Sequence, residues 1–301
     1  MTETYGAEPR QTLAATAIRW FDEHARELPW REPGVGAWAI LVSEIMLQQT
    51  PVVRVLPVWR AWLERWPTPA ALASASPAEA IRLWGRLGYP RRALRLRDCA
   101  VAVVERHGGE VPDDLDALLA LPGVGSYTAR AVAAFAYGQR HPVVDTNVRR
   151  LVARAVAGEP DAGPTTRPAD LVATAELLPA EPAVAARASA AFMELGAVVC
   201  TARSPRCADC PLIADCAWRA VGRPASTGPS RRPQAYAGTD RQVRGMLLAV
   251  LRESTGPVPA DRLDLVWADD VQRRRALAGL VDDGLVEPVA GGYALAGDRP
   301  A

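Results

Sequence analysis

The chain has 301 residues, of which 49% are hydrophobic and 23% charged; this content can bury one large or two modest cores and argues against disorder. Its formal net charge is +1 and all 35 basic residues are arginine, so the charge balance alone indicates no partner. No apolar run approaches the roughly 18 residues of a membrane span, and no secretory signal pattern opens the chain. We therefore expect a cytoplasmic protein that binds no membrane.

Apolar residues recur at helical spacing along most of the chain, which predicts a mainly α-helical fold. Short turns rich in proline and glycine separate the predicted segments. The helices are expected at residues 10–27, 37–49, 52–66, 77–83, 91–107, 113–120, 126–137, 147–157, 168–178 and 183–199.

The composition changes near residue 222. Residues 222–238 are rich in Gly, Pro, Ser and Arg and predict a linker. Residues 239–301 predict helices followed by a hairpin with a Gly-Gly turn, as in a winged helix. We call residues 239–301 the C-terminal unit.

The first candidate for chemistry is Glu44, in WAILVSEIMLQQTPV. Apolar residues at i−4, i−3 and i+3 share its helix face, and such neighbours desolvate a carboxyl and favour its protonated form, as a general acid requires. Taken alone, a glutamate beside apolar residues is more often an edge residue whose carboxylate reaches water. A catalytic interpretation of Glu44 therefore needs a second carboxylate.

Two later segments supply a helix terminus and that carboxylate. LPGVGSYTARAVAAFAYG, residues 121–138, predicts a helix, a hairpin and a second helix. The N–H groups of Gly123, Val124 and Gly125 can converge on a phosphate oxygen, although an unliganded turn is about as common. Asp145 precedes the next helix as its N-cap, and capping alone explains such an aspartate in most proteins.

Four of the five cysteines form one short cluster, with Cys99 isolated. Cys200, Cys207, Cys210 and Cys216 have the spacing C-x6-C-x2-C-x5-C. In a reducing compartment such a cluster indicates metal rather than disulfides. Four thiolates from one contiguous segment favour a [4Fe-4S] cluster over zinc, which usually takes two separated C-x2-C pairs; cysteines clustered by chance are a third reading.

Together these motifs resemble the endonuclease III-like, helix-hairpin-helix DNA glycosylases and, within them, the MutY adenine glycosylases. The resemblance covers about residues 20–220. It implies a [4Fe-4S] cluster and two lobes with DNA between them: a six-helix lobe of about residues 30–136, and a cluster lobe from about 8–29 and 137–221. The motifs in family order are LPWR (28–31), SEIMLQQT (43–50), GRLGY (85–89), LPGVGSYTA (121–129), VVDTNVRR (143–150), MELGAVVC (193–200) and the cysteine spacing.

The resemblance also implies roles for individual residues. Glu44 would protonate a flipped adenine at N7 and later position the water. Ionised Asp145, held by Asn147 and near Tyr127, would stabilise the sugar cation, as paired carboxylates do in glycosidases. Residues expected in the adenine pocket or near the lesion strand are Arg31, Leu47, Gln48, Gln49, Thr50 and Tyr89.

The implied substrate is double-stranded DNA with adenine opposite 8-oxoguanine or guanine, bound by a monomer in the bacterial cytoplasm. Glycosylase-lyases of the family carry a lysine where this chain has Tyr127, and the chain contains no lysine, so we expect a monofunctional enzyme. Two alternatives are a thymine or uracil mismatch glycosylase and a non-enzymatic iron–sulfur DNA-binding or redox-sensing protein.

The C-terminal unit departs from the family. Many members end in a β-rich NUDIX-like domain that reads 8-oxoguanine, and residues 239–301 are too few and too helical for that domain. We expect this unit either to contact DNA or to serve in packing or protein contacts.

Overall fold

The structure is a computed structural model that describes residues 7–226 and 236–298, with side chains from residue 12 onward. The described residues are mainly helical, as the sequence predicts, and contain one two-stranded antiparallel sheet. The elements in chain order are α1 Ala7–His24, α2 Ala37–Leu47, α3 Val52–Arg65, α4 Pro69–Ala73, α5 Pro77–Trp84, α6 Arg91–His107, α7 Leu115–Leu119, α8 Ser126–Tyr137, α9 Thr146–Ala155, α10 Pro168–Ala175, α11 Pro182–Val198, α12 Ala217–Ala220, α13 Asp240–Glu253, α14 Ala260–Asp264, α15 Asp270–Asp282, β1 Val286–Val289 and β2 Gly292–Leu295.

The predicted helices agree with the observed ones to within about three residues at each end. The sequence did not predict α4 and α12, because five and four residues offer too few periodic positions to show a pattern. No helix in the described ranges is long and apolar enough to cross a membrane.

Contacts divide the described chain into two compact units. The first contains residues 7–40, 113–119 and 125–226. Its core forms where α1 and α9 pack against α11, and its largest fully buried side chains include Leu13, Phe192 and Leu195. Helix α11 is rich in alanine, and its small side chains let the neighbouring helices approach closely.

The second unit contains residues 41–112, 120–124 and 236–298. Its aromatic core has the Trp62 ring in edge contact with the rings of Trp66 and Trp84, at centroid distances of 4.6 and 5.6 Å. Such edge-to-face pairs add to the apolar area that the rings bury. A further core joins the C-terminal unit to Ala78 and Ile81 of α5.

The C-terminal unit has the element order of a winged helix. Helices α13, α14 and α15 are followed by the hairpin β1–β2, and Val258 forms a bridge to Tyr293 of β2. Most of the predicted linker, residues 227–235, lies outside the described residues, as do residues 299–301. The lobe boundaries and the start of this unit at residue 239 stay predictions.

Candidate active site

Glu44 lies on α2, in the part of that helix that belongs to the second unit. The residue is only 5% exposed, and Ile40 and Leu41 on the same face are 5% and 0% exposed. Leu47, the last residue of α2, is half-buried. The carboxyl is therefore largely removed from water, on a helix face that it shares with apolar residues.

The loop that follows α2 is tied to the loop after α5 by one buried side chain, Arg92. Its Nη1 donates to the carbonyls of Ile45 and Met46 at 3.0 and 2.9 Å. Its Nη2 donates to Thr50 Oγ1 at 2.8 Å and to the Gly88 carbonyl at 3.1 Å. Burial lowers the pKa of Arg92 to about 10, which leaves the guanidinium charged at neutral pH. The sequence did not select Arg92, because its partners lie four to 47 residues away.

Two predicted lesion contacts, Gln49 and Tyr89, have left-handed backbone. Their φ angles are +57° and +48°, in a region that L residues seldom occupy. Gln49 is exposed, and Tyr89 is 49% exposed. Strain of this kind costs about 1–3 kcal/mol and persists only where surrounding contacts enforce it. Arg92 bonds to the residue before Tyr89 and lies 5.4 Å from the Tyr89 ring centroid, so it is such a contact.

In the helix-hairpin-helix segment, Gly123 occupies a position that requires glycine. Gly123 has φ +78°, and a Cβ there would lie 3.0 Å from Cβ of Arg95. Gly125 is the N-cap of α8 and provides no side-chain acceptor for the first-turn N–H groups. Backbone N–H groups at a helix N-terminus are a ready site for a phosphate oxygen.

Asp145 is the N-cap of α9, as the sequence predicted. Its Oδ1 accepts hydrogen bonds from the backbone N–H groups of Asn147 and Val148, both at 2.8 Å. Its Oδ2 accepts from Asn147 Nδ2 at 2.7 Å. Burial raises the pKa of Asp145, and these hydrogen bonds and the nearby Arg150 charge oppose the rise. Three donors therefore fix the direction in which the carboxylate points.

The support of Asp145 continues to the cysteine loop through Arg150. Arg150 Nη2 donates to Asn147 Oδ1 at 2.9 Å, and Arg150 Nε donates to the Cys200 carbonyl at 2.7 Å. At Gly196 of α11, an added Cβ would lie 2.5 Å from the Asn147 carbonyl oxygen. The backbone around Asp145 is thus fixed by α11 on one side and by the start of the cysteine loop on the other.

Tyr127 lies on the first turn of α8, in the same unit as Asp145. Its hydroxyl donates to Met193 Sδ at 3.8 Å, and its ring packs against a small buried cluster that includes Val143. Position 127, where the glycosylase-lyases carry a lysine, is therefore a tyrosine whose hydroxyl contacts α11.

Arg31 is held by a carboxylate that the sequence did not select, Glu194 of α11. Glu194 is fully buried, and its Oε2 accepts from Arg31 Nη2 at 2.9 Å and from Arg26 Nη2 at 2.8 Å. Burial raises the pKa of Glu194, but the hydrogen bonds and charges of the two arginines outweigh it and lower the pKa to about 2. Arg31 Nη1 is buried and donates to no atom of the described residues.

The four clustered cysteines line one cavity, together with Leu151, Arg154 and Trp218. Arg154 Nη1 donates to Cys200 Sγ at 3.5 Å, and such hydrogen bonds are typical of cluster thiolates. No three His, Cys, Asp or Glu side chains in the described ranges are close enough to hold a single ion, whereas four cysteines around a cavity fit a cluster that spans it. The residues present therefore fit a [4Fe-4S] cluster.

The predicted site residues fall into two sets. Each set belongs to one of the two units. The first unit holds Arg31, Gly125, Tyr127, Asp145, Asn147, Cys200, Cys207, Cys210 and Cys216, and the second holds Glu44, Leu47, Gln48, Gln49, Thr50, Tyr89, Gly123 and Val124.

Comparison with known proteins gives a consistent result. The model of the HhH-GPD superfamily of base excision DNA repair proteins matches residues 42–174, and that of the iron-sulfur binding domain of endonuclease III matches residues 200–216. The chain is 60% identical over 290 residues to the adenine DNA glycosylase of Mycolicibacterium smegmatis, covering 94% of this chain and 97% of that one. It is 57% identical to the adenine DNA glycosylase of Mycobacterium tuberculosis, covering 96% and 95%. A thermostable thymine-DNA glycosylase shares the fold, with a TM-score of 0.64, 24% identity, and 71% of this chain and 98% of that chain covered.

The fold and the cysteine cavity thus define a helix-hairpin-helix base excision DNA repair enzyme with a [4Fe-4S] cluster. Within that class, the chain belongs to the family of adenine DNA glycosylases. The family and the cofactor predicted from the sequence motifs are confirmed.

Proposed function

We propose that this protein hydrolyses the N-glycosidic bond of adenine mispaired with 8-oxoguanine or guanine in double-stranded DNA, and that it acts as a monomer without a lyase step. The observation that carries the proposal is two differently held carboxylates: Glu44 is only 5% exposed on a helix face that it shares with apolar residues, and Asp145 is fixed by three hydrogen bonds. Paired carboxylates in unlike environments are suited to acid catalysis and cation stabilisation.

Glu44 acts as the general acid. Adenine is a poor leaving group until its ring is protonated, and a carboxyl group that acts as a general acid can supply a proton at N7. After the base departs, the same group, now a carboxylate, accepts a proton from the attacking water. The base must first leave the helical stack to reach a buried acid.

Asp145 acts on the sugar. Loss of the base leaves positive charge on the sugar ring, and a carboxylate in a fixed position stabilises that charge without reorganising. Asn147 and Arg150 hold the carboxylate in place. Tyr127 has no amine to attack the sugar, so the reaction ends with the abasic site.

Arg31 and Leu47 each contribute to adenine binding. The buried Nη1 of Arg31 donates to no atom of the described chain and is available to an acceptor nitrogen of the base. Gln48, Gln49, Thr50 and Tyr89 face the lesion strand, and the turn of Gly123, Val124 and Gly125 binds a DNA phosphate. The [4Fe-4S] cluster supplies structural order to the loop that supports Asn147 and Asp145.

The test is base release in a single turnover, detected by strand cleavage in hot alkali. Duplexes carry A opposite 8-oxoguanine, A opposite G, or T opposite G. Glu44→Gln should retain DNA binding and lose activity by about 100-fold or more, because it keeps the shape but removes the proton. Glu64→Gln, an exposed glutamate of the same unit, is the matched control and should be unchanged. Full activity of Glu44→Gln would reject the assignment.

The alternatives give different results in the same assay. Release of T but not A would favour the thymine or uracil mismatch glycosylase, and binding without release of any base would favour the non-enzymatic DNA-binding protein. Location in the bacterial cytoplasm stays a prediction from the sequence.

A further inference from the structure

The C-terminal unit packs against α5, the helix that leads into the Gly85–Tyr89 loop. Arg82 on α5 donates to the Ser254 carbonyl at 2.8 Å, and its Nη1 lies 3.0 Å from Asp298 Oδ1. Ala78 and Ile81 of α5 are fully buried in the core of the C-terminal unit. At the helix start, a Cβ on Gly297 would lie 2.9 Å from Cδ of Pro77, so the two chains touch there.

The far end of α5 is capped by the C-terminal unit. The last carbonyls of a helix have no partner within it. The carbonyls of Arg82 and Trp84 accept from the N–H groups of Gly85 and Leu87, at 3.1 and 3.3 Å. The Ile81 carbonyl accepts from Nε of Arg252, at 3.1 Å. One side chain of α13 therefore completes the last turn of α5, directly before the loop that presents Tyr89.

The charges of the C-terminal unit do not suit DNA. Residues 239–301 contain eight arginines and ten side-chain carboxylates, a formal net charge of −2, which does not attract a phosphate backbone. Several of the arginines are also engaged within the unit: Arg273 pairs with Asp264 and Asp270, and Arg275 pairs with Asp240. Electrostatics thus favour a packing role over a phosphate-binding one.

We infer that the C-terminal unit stabilises the conformation of the Gly85–Tyr89 loop, and that Arg252 is the positioning residue through which it holds Tyr89. This inference rests on the proposed function, because the role of Tyr89 toward the lesion is assigned there. The side of the loop near Tyr89 is held by Trp84 Nε1 and Arg92, which both donate to the Gly88 carbonyl. Arg252 secures the helix end from which the loop departs.

The experiment compares full-length Arg252→Gln with Arg252→Lys and Arg274→Gln. Lysine restores a charged donor. Arg274→Gln is the matched control, because Arg274 is 72% exposed and its ion pair among the described residues is with Asp270 of its own unit. The first readout is hydrogen exchange of the Gly85 and Leu87 amides in the free protein. Exchange should become about tenfold faster in Arg252→Gln, recover in Arg252→Lys and stay unchanged in Arg274→Gln.

The second readout separates binding from chemistry with an A:8-oxoguanine duplex. In Arg252→Gln the enzyme concentration for half-maximal single-turnover rate should rise about tenfold, while the maximal rate and the salt dependence of binding stay the same. The double variant with Arg252→Gln and Tyr89→Ala should bind the duplex no more weakly than Arg252→Gln alone, since both changes remove the same contribution of Tyr89 to binding.

The outcomes distinguish this inference from the proposed function. Amide exchange at the wild-type rate in Arg252→Gln would overturn this inference. A shallower salt dependence of DNA binding in that variant would also overturn it, and would indicate that Arg252 contacts a phosphate. If Tyr89→Ala alone leaves binding unchanged, the proposed role of Tyr89 fails, and the amide exchange rates still decide whether Arg252 holds the loop.

Discussion

Replacing Glu194 with glutamine should be among the most damaging changes outside the two proposed catalytic carboxylates. Glu194 has no exposed side-chain surface and is the shared partner of Arg26 and Arg31. The Glu194→Gln variant keeps the volume but removes the negative charge. It leaves two guanidinium groups close together, one of them in the proposed adenine pocket.

The pKa of Glu194 gives the size of the effect. Its folded-state value is about 2, against 4.5 for an unperturbed glutamate. At about 1.4 kcal/mol per pKa unit, ionised Glu194 contributes about 3 kcal/mol to folding at neutral pH. Loss of one partner of a buried ion pair typically costs a similar amount, about 3–5 kcal/mol.

The contribution has a defined pH window. Because the folded pKa is lowered, the stabilisation is fully present above pH 4.5 and is lost as the pH falls toward 2. The difference between wild type and Glu194→Gln should therefore be constant from pH 7 to 5 and should narrow below pH 4.5.

Urea unfolding at several pH values measures this difference. Glu23→Gln on α1, with a side chain that is 74% exposed, is the control and should change stability by less than about 0.5 kcal/mol. A loss below about 1 kcal/mol for Glu194→Gln at pH 7, or a loss that does not narrow in acid, would refute the reasoning. The rate of adenine release should also fall, because Arg31 loses the carboxylate oxygen that accepts the hydrogen bond from its Nη2.

Three further changes test other parts of the structure. Gly196→Ala should cost about 1–3 kcal/mol in urea unfolding and slow adenine release, because the new methyl group displaces Asn147 and with it Asp145; wild-type values of both would contradict the close approach. Cys207→Ser should lose iron, measured as metal per chain after anaerobic purification, since one missing thiolate opens the cluster; tightly bound zinc in the unaltered protein would instead reject the cluster. Borohydride should trap no covalent complex with an abasic product, because Tyr127 replaces the lyase lysine; a trapped band that survives blocking of the N-terminal amine would contradict this.

The sequence predicted the parts of this protein that are encoded locally. Helix positions follow from apolar spacing, Asp145 shows its N-cap role in the residues beside it, and the cysteines lie within one short segment. The cluster could be predicted because its four ligands form one contiguous motif. The family could be predicted because each of its several motifs is contiguous in the sequence.

The residues that the sequence did not reveal act across long separations. Arg26 and Glu194 are 168 residues apart, and Arg252 caps a carbonyl 171 residues away. Arg92 resembles any other arginine of a basic helix until the folded chain places five acceptors around it. A single sequence has no periodicity that encodes such pairings, so only the fold identifies them.

The packing of α1 against α11 also has a consequence for synthesis of the protein. The apolar face of α1, which includes Leu13 and Phe21, is covered by a helix that begins at Pro182. At about 5–20 residues per second, a ribosome needs roughly ten to thirty seconds to make the intervening chain. During that interval the N-terminal helix lacks the α11 surface that covers its apolar face, and this face is open to chaperones. A nascent chain that stops before Glu194 leaves Arg26 and Arg31 without their carboxylate, so this part of the proposed pocket is assembled only late in translation.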